Sequence, residues 1–168
     1  KFANSLRMRV ALRMSATNQA SVAQQHFEEA AQNCFTSNAD NALYNYSGAG
    51  LDNNPQNEDF KTRNDFAASN VMLDNNMEVY NDPRIPFYYS PRVNGGDFEG
   101  EVYGLSEANA ALTPNDDVSQ RSALILQADF PGIYLDYAQV EFMQAEAANL
   151  GWAVPGGGEL AHYTAGVT

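Results

Sequence analysis

Three segments of the sequence place tyrosines beside asparagine or arginine where the hydrophobic pattern has no helical period. They contain Tyr44, Asn45 and Tyr46, then Arg84, Tyr88, Tyr89, Arg92 and Asn94, and then Tyr103. Aromatic rings pack against the apolar C–H faces of a sugar, while amide and guanidinium groups bond to its hydroxyls. The candidate ligand-binding residues are Tyr44, Tyr46, Tyr88, Tyr89, Arg92 and Tyr103. The alternative is that these tyrosines only anchor long loops to a scaffold.

One segment begins like a calcium-binding loop. Asp52-Asn-Asn54 has the required spacing, but Gln56 and Asn57 stand where an acid or amide and then a glycine are expected. A weakly bound calcium in the loop from Asp40 to Asp59 therefore remains an alternative, and no other cofactor is expected.

Other catalytic and metal-binding patterns are missing from the sequence. His26 and His162 are far apart and Cys34 is the single cysteine, so no zinc site is indicated. There is no nucleophile elbow, phosphate loop or dinucleotide fingerprint. Glu141 and Glu146 are five residues apart on a predicted helix and do not share a face, and we interpret both as packing or solvated residues. The sequence predicts a protein that is not an enzyme.

The charge distribution argues against nucleic-acid binding. The net charge is −12, and the first 13 residues carry +4, so the remainder carries −16. An acidic body of this kind repels a phosphate backbone. We expect the arginines of the first segment to pair with acidic residues elsewhere in the chain.

Residues 134–152 predict a packed helix with one face of small residues. Ala138, Phe142, Ala145 and Asn149 recur at helical spacing. Ala138 to Phe142 forms the Ala-x3-Phe element of tetratricopeptide helices, in which a small side chain lets a second helix approach. Trp152 at the end of this segment is interpreted as a packing residue.

The opening residues, 1–15, predict another helix whose core stripe would be Phe2, Leu6, Val10 and Met14. The helix starts without a capping residue, so we expect the chain to be truncated at both ends, with apolar surface left there.

The remaining segments alternate between short helices and loops. Ser21-x-x-Gln24 predicts a capping box that opens a second helix through about Phe35. Residues 36–64 predict a polar loop with a short strand at 44–46. A third helix is predicted from Asp65 to Met77, and a short one over 106–112. Residues 85–104 and 113–131 predict loops, and a final helix should follow 155–158.

Several strings together resemble the SusD/RagB family, nutrient-binding outer-membrane lipoproteins of gut and oral Bacteroidetes. The strings are Lys1–Ser15, Phe66–Asn70 with Asn81–Arg84, Tyr137–Trp152 and Tyr163–Val167. Their order and spacing fit the family, and the closest likeness is to its SusD-like branch.

The resemblance implies a fold that is mainly α: a tetratricopeptide-like helical scaffold with long irregular loops and short strands. It implies that residues 1–168 form a single partial domain, a fragment of a larger SusD-like domain whose lipid anchor lies outside this chain. It also implies a glycan- or oligosaccharide-binding function, with a SusC-like TonB-dependent transporter as partner. Peptide ligands are also known in the family. The alternative is a helical-repeat scaffold that binds proteins or peptides and takes no carbohydrate.

Overall fold

The computed structural model describes residues 1–168, which form two compact units. Unit 1 combines Lys1–Tyr44 with Ile133–Thr168, and unit 2 is Asn45–Gly132. The chain is mainly helical with few, short strands, which confirms the predicted fold class. None of the helices has the length and apolar character needed to cross a membrane.

The regular elements follow one another along the chain. They are α1 (Phe2–Arg13), α2 (Ala20–Ala31), β1 (Ala42–Tyr44), α3 (Pro55–Thr62), a π-helix (Leu73–Glu78), α4 (Ile85–Tyr88), β2 (Tyr89–Ser90), α5 (Glu107–Ala110), β3 (Gln120–Arg121), β4 (Gly132–Leu135), α6 (Tyr137–Asn149) and α7 (Glu159–Val167). Single 3-10 turns lie at Asn38–Asp40 and Asn115–Asp117. Strands β1 and β4 form one two-stranded sheet, and β2 and β3 form another.

Unit 1 has a single core built around Phe27 of α2, which is fully buried. Met8 of α1 and Val140 of α6 are also fully buried in this cluster. The indole of Trp152 meets the ring of Phe27 edge-on, with centroids 5.4 Å apart. The prediction that Trp152 is a packing residue is therefore confirmed, and Cys34 is buried in the same cluster as a small apolar side chain.

Helix α6 begins at an N-cap, because the side chain of Asp136 accepts a hydrogen bond from the backbone N–H of Gln139 at 2.7 Å. Its predicted buried face is only partly right. Ala145 is buried, but Phe142 and Asn149 are exposed. The core instead takes the face that includes Val140, because α1 and α2 pack against that side.

The small residue that lets α6 and α7 approach is a glycine of α7. A Cβ at Gly166 would lie 2.8 Å from the ring of Phe142, well inside contact distance. The close approach expected from alanines on α6 is therefore achieved at a different position.

The predicted core stripe of α1 is mostly wrong, although Met14 packs against the core. Phe2 and Val10 are 44% and 54% exposed, and the buried face contains Ser5, Met8 and Leu12. Ser5 belongs there because its hydroxyl accepts a hydrogen bond from the backbone N–H of Phe35 at 3.0 Å. A hydroxyl satisfied in this way can be buried, so apolar spacing alone selected the wrong side of the helix.

The predicted capping box of α2 is also wrong. The helix begins at Ala20, after Gln19, and no side chain caps it. The Gln24 amide donates to Glu28 at 2.7 Å instead. The strand predicted at 44–46 lies two residues earlier, in β1.

The helix predicted from Asp65 to Met77 does not form. Residues before Asn70 are extended, because the Ala68 N–H donates to the Ser119 carbonyl at 2.8 Å and the Ala68 carbonyl accepts from Glu101 at 2.7 Å. The segment that follows is a π-helix, in which the Met77 N–H donates to the carbonyl of residue 72 at 3.0 Å.

Helix α3 lies inside the segment predicted as a polar loop. Its start has a recognisable signal, since Asn54 accepts from the Gln56 N–H at 3.0 Å and Pro55 occupies the first turn.

Replacing Ala145 by leucine should overpack the face where α7 meets α6. The expected loss in unfolding free energy is roughly 1–3 kcal/mol, because the added methylenes have no room. Urea denaturation of the variant measures it. The control is Glu146→Leu, an exposed neighbour on the same helix, which should change stability by no more than about 0.5 kcal/mol. Equal stability of both variants would contradict close packing at Ala145.

Candidate functional site

The candidate tyrosines of unit 2 are positioned by a short antiparallel ladder between β2 and β3. Tyr89 pairs with Arg121. Just beyond the pair, Ser122 donates from its backbone N–H to the Tyr88 carbonyl at 2.9 Å and from its hydroxyl to the Phe87 carbonyl at 2.6 Å. These bonds fix the backbone that carries Tyr88 and Tyr89.

The side chain of Arg121 joins this ladder to helix α3. Its guanidinium donates to Gln56 Oε1 at 2.6 Å and to Asp59 Oδ2 at 2.8 Å. It also lies 5.2 Å from the ring centre of Phe66 and 5.9 Å from that of Phe60. The arginine is buried, so its charge is compensated by an ion pair, hydrogen bonds and two aromatic faces.

Tyr88 and Tyr89 differ in their surroundings. Their rings lie 6.3 Å apart and are tilted by 57°. Tyr89 packs against a small core formed by Ala68, Leu73, Met77 and Ile85. Burial raises the pKa of the Tyr89 phenol, and the nearby Tyr88 adds to the effect. Tyr88 is 41% exposed, so it is the ring of the pair that presents a face to solvent.

Arg92 closes its own loop. Its Nε donates to Asp97 Oδ1 at 2.6 Å and its Nη2 to Oδ2 at 3.0 Å. The backbone repeats the link, since the Arg92 N–H donates to the Asp97 carbonyl at 2.9 Å. The hydrogen bonds from Arg92, and then one from the backbone, hold the pKa of Asp97 below its ordinary range. Two of the guanidinium nitrogens are thus engaged in the loop.

Tyr103 is the most exposed of the predicted residues, at 79%. Its backbone N–H donates to Asn70 Oδ1 at 3.0 Å, and the N–H of Gly100 donates to Asp74 Oδ1 at 2.8 Å. A Cβ at Gly100 would lie 2.5 Å from the backbone of Asn70, so only glycine fits this approach. Tyr103 also borders a cavity of about 220 Å³ that reaches Ala67.

The remaining predicted residues are distributed over both units. Tyr44 ends β1 in unit 1 and is exposed, whereas Tyr46 belongs to unit 2 and is half-buried. Of the six predicted residues, unit 2 therefore contains five. Arg84 forms an ion pair with Asp82, with its Nη2 2.6 Å from Asp82 Oδ2.

Besides Phe60 and Phe66, which lie against Arg121, unit 2 has two further exposed aromatic residues that the sequence selection missed. Tyr80 and Phe87 are both more exposed than Tyr88. The signal for Tyr80 was its place directly before the turn at 81–84, and that for Phe87 was its place beside the chosen tyrosines.

The acidic loop between Asp40 and Asp59 forms local hydrogen bonds. Asp52 Oδ2 accepts from the Ser47 N–H at 3.0 Å. No group of three or more His, Cys, Asp or Glu side chains is arranged to hold a metal ion.

The comparisons with known proteins agree with this architecture. The family model SusD-like, described as starch-binding and associating with the outer membrane, matches residues 1–168. The chain therefore belongs to the SusD-like family. No curated protein matches it.

Solved structures show the same fold. A chitin-binding SusD homologue from Flavobacterium johnsoniae has a TM-score of 0.82 at 25% identity, covering 99% of this chain and 33% of that one. A SusD-like protein from Bacteroides thetaiotaomicron has a TM-score of 0.78 at 27% identity, with 99% and 34% covered. A SusD homologue from Bacteroides vulgatus has a TM-score of 0.80 at 26% identity, with the same coverage. The chain spans about one third of the length of these relatives.

Replacing Arg121 by methionine should destabilise unit 2 by on the order of 3 kcal/mol, because Asp59 would keep its charge in a largely buried position without a partner. Chemical denaturation measures the loss. Arg84→Met is the matched control, since that arginine is largely exposed and its pair is screened by solvent. Equal losses in the two variants would show that Arg121 is only a surface ion-pair residue.

The carboxyl group of Asp97, which pairs with Arg92, should have a pKa below its ordinary value of 3.8. Since the folded pKa is lowered, the pair stabilises the loop above about pH 4 and is lost as the pH falls through the folded value. NMR titration of the Asp97 carboxyl carbon measures the midpoint. Arg92→Gln should return it towards 3.8, whereas Arg84→Gln should shift only Asp82. If Arg92→Gln left the Asp97 midpoint unchanged, that result would contradict the pairing.

Proposed function

We propose that the protein is a non-enzymatic glycan-binding component of an outer-membrane nutrient-uptake complex, and that its ligand packs against tyrosines of unit 2. The observation that carries the proposal is the combination of exposed rings with fixed backbones. Tyr88 and Tyr103 expose their rings, while hydrogen bonds from Ser122 to Tyr88 and from Tyr103 to Asn70 hold the segments that carry them. A ring presented on a fixed backbone loses little conformational entropy when a sugar packs on it.

The comparisons support the choice of a glycan. The family is described as starch-binding, and one solved relative is described as chitin-binding. Starch and chitin both consist of pyranose rings with apolar faces and hydroxyl edges. Those faces suit the tyrosines, and the polar side chains around them suit the hydroxyls.

The proposal includes a place and a partner. The family is described as associating with the outer membrane, which supports a surface-exposed lipoprotein there. The bound polysaccharide or oligosaccharide would pass to a SusC-like TonB-dependent transporter. The net charge of −12 supports a non-nucleic-acid ligand.

The division of roles among the predicted residues also belongs to the proposal. Tyr88 and Tyr103 would contact the sugar. Tyr89 would support Tyr88 from the small core, and Arg92 would keep its loop closed. Tyr46, near the start of the same unit, would be a further contact to the ligand.

Alanine at Tyr88 or Tyr103 should weaken binding of maltooligosaccharides or chitooligosaccharides. An aromatic packing contact is worth about 1 kcal/mol, which corresponds to about a fivefold rise in Kd for each variant. Isothermal titration measures Kd, and circular dichroism checks that helicity is unchanged. Tyr88→Phe should retain most of the affinity, because the ring remains.

The matched control is Tyr134→Ala, which removes an exposed tyrosine from unit 1 and should leave Kd unchanged. Equal weakening by all three alanine variants would contradict a site on unit 2. Binding of a protein or peptide without any saccharide would favour a helical-repeat scaffold, and release of reducing sugar would show an enzyme.

A further inference from the structure

A second cavity lies wholly within unit 1, separate from the tyrosines of unit 2. It has a volume of about 350 Å³, at the small end of the range for sites that take small molecules. Helices α6 and α7, the end of α2 and the turn at 155–156 form its walls. Its polar lining includes Tyr137, Glu141, Gln144 and His162.

Glu141 belongs to this lining, and of the two roles interpreted from sequence the structure contradicts the solvated one, because the residue is buried. Its Oε2 lies 2.6 Å from His162 Nδ1, and both side chains are only 7% exposed. Its Oε1 accepts from the Gln144 amide at 3.3 Å. Burial raises the pKa of Tyr137, and a hydrogen bond to Glu141 raises it further, so the phenol also contacts this carboxyl group.

Two buried atoms of the lining have no hydrogen-bond partner in the protein. They are Nε2 of His162 and Oε1 of Gln144, on residues that are both more than nine-tenths buried. Buried polar atoms normally find a partner. Because the Glu141 carboxyl group accepts from Nδ1–H, the neutral imidazole of His162 has its lone pair on Nε2. Since the Gln144 nitrogen faces Glu141, its free oxygen also accepts. With His162 in its neutral form, the cavity therefore offers two unused acceptors.

The charge of the lining further restricts the chemical class of ligand that the cavity can bind. Glu141 is its only acidic residue, and no lysine or arginine is among the lining residues. Lys1 donates to Thr36, a residue of the lining, and to Asp40, both at 2.7 Å. A buried carboxylate beside two acceptors matches a group that has several N–H donors, no acceptor and a positive charge.

We propose that this cavity binds small polar molecules through a primary ammonium group. The ammonium would donate to His162 Nε2 and Gln144 Oε1, and its charge would be compensated by Glu141. A hydroxyl group can donate but brings no charge, so it should bind more weakly. The site is independent of the proposed glycan surface, because its residues belong to the other unit.

The test compares glucosamine with glucose, which has a hydroxyl in place of the ammonium group. Isothermal titration in an amine-free phosphate buffer should give a Kd for glucosamine at least tenfold lower than for glucose. N-acetylglucosamine, in which the amine is neutral and blocked, should behave like glucose. Tyr88→Ala should leave the preference for glucosamine unchanged, which separates this site from the glycan surface.

Variants of the lining identify the groups involved. Glu141→Gln keeps an acceptor for His162 but removes the charge, and should weaken glucosamine binding at least tenfold. Gln144→Leu removes one acceptor and should also weaken it. Glu146→Gln, an exposed acid on the same helix, is the matched control and should have no effect.

A second measurement keeps the proposal testable if a variant fails to fold. Long-range ¹H–¹⁵N correlation in the unmodified protein should show the proton of His162 on Nδ1. A proton on Nε2, equal binding of glucose and glucosamine, absence of glucosamine binding, or unchanged binding by folded Glu141→Gln would each overturn the proposal.

Discussion

The loop-rich unit depends on finding partners for backbone groups that no long helix or sheet satisfies. A buried N–H or C=O without a partner is costly, so irregular segments need side chains that supply the missing bonds. Asn54 does this directly: its amide donates to the carbonyls of Ile125 and Gln127 at 2.7 and 3.0 Å. Asn57 donates to the carbonyl of Leu126 at 2.7 Å. The asparagine-rich composition of this region is therefore structural, although it resembles a solvated loop in the sequence.

The same constraint explains why a charged residue occupies the position of a core residue. Strands β2 and β3 are two residues each, too short to stabilise the ladder by pairing alone. Arg121 adds hydrogen bonds to α3 and two aromatic contacts from a side chain that is 9% exposed. The Arg92–Asp97 pair has two hydrogen bonds between the side chains but is much more exposed, so solvent screens it. Burial, not the number of ion pairs, decides which arginine organises the unit.

The helical scaffold was predictable because long apolar periods leave little ambiguity. α1, α2, α6 and α7 lie close to their predicted ranges. The buried face was harder to predict, since it depends on the neighbours of a helix. α1 buries Ser5 because the N–H of Phe35, thirty residues later, needs an acceptor. The extended segment at Ala68 depends on Ser119 and Glu101 in the same way. α3 was missed despite a local signal, the Asn-Pro pair at its start. α4 was missed as well, inside the predicted loop 85–104, although a proline occupies its first turn.

In the candidate site, too, residue type was predictable from the sequence and long-range contacts were not. Residue type located tyrosines in the right loops, but their roles depend on long-range contacts: Tyr89 rests on a core, whereas Tyr88 does not belong to it. Glu141 is a stronger case, since its burial depends on His162, twenty-one residues away. No local pattern distinguishes it from Glu146 on the same helix.

Buried polar atoms without a hydrogen-bond partner have different origins in the two units. In unit 2 they occur on side chains such as Asn57 and Arg121, whose other atoms bond to the surrounding chain. Such atoms are what remains after a side chain has been used to satisfy the backbone. In unit 1, His162 and Gln144 leave two acceptors on the wall of one cavity, beside the carboxyl group that both contact. Neither bonds to a backbone group through the paired nitrogen. Because these side chains do not support a loop, satisfying the backbone does not account for their unpaired atoms, whereas the proposed ammonium donor would give both atoms a partner.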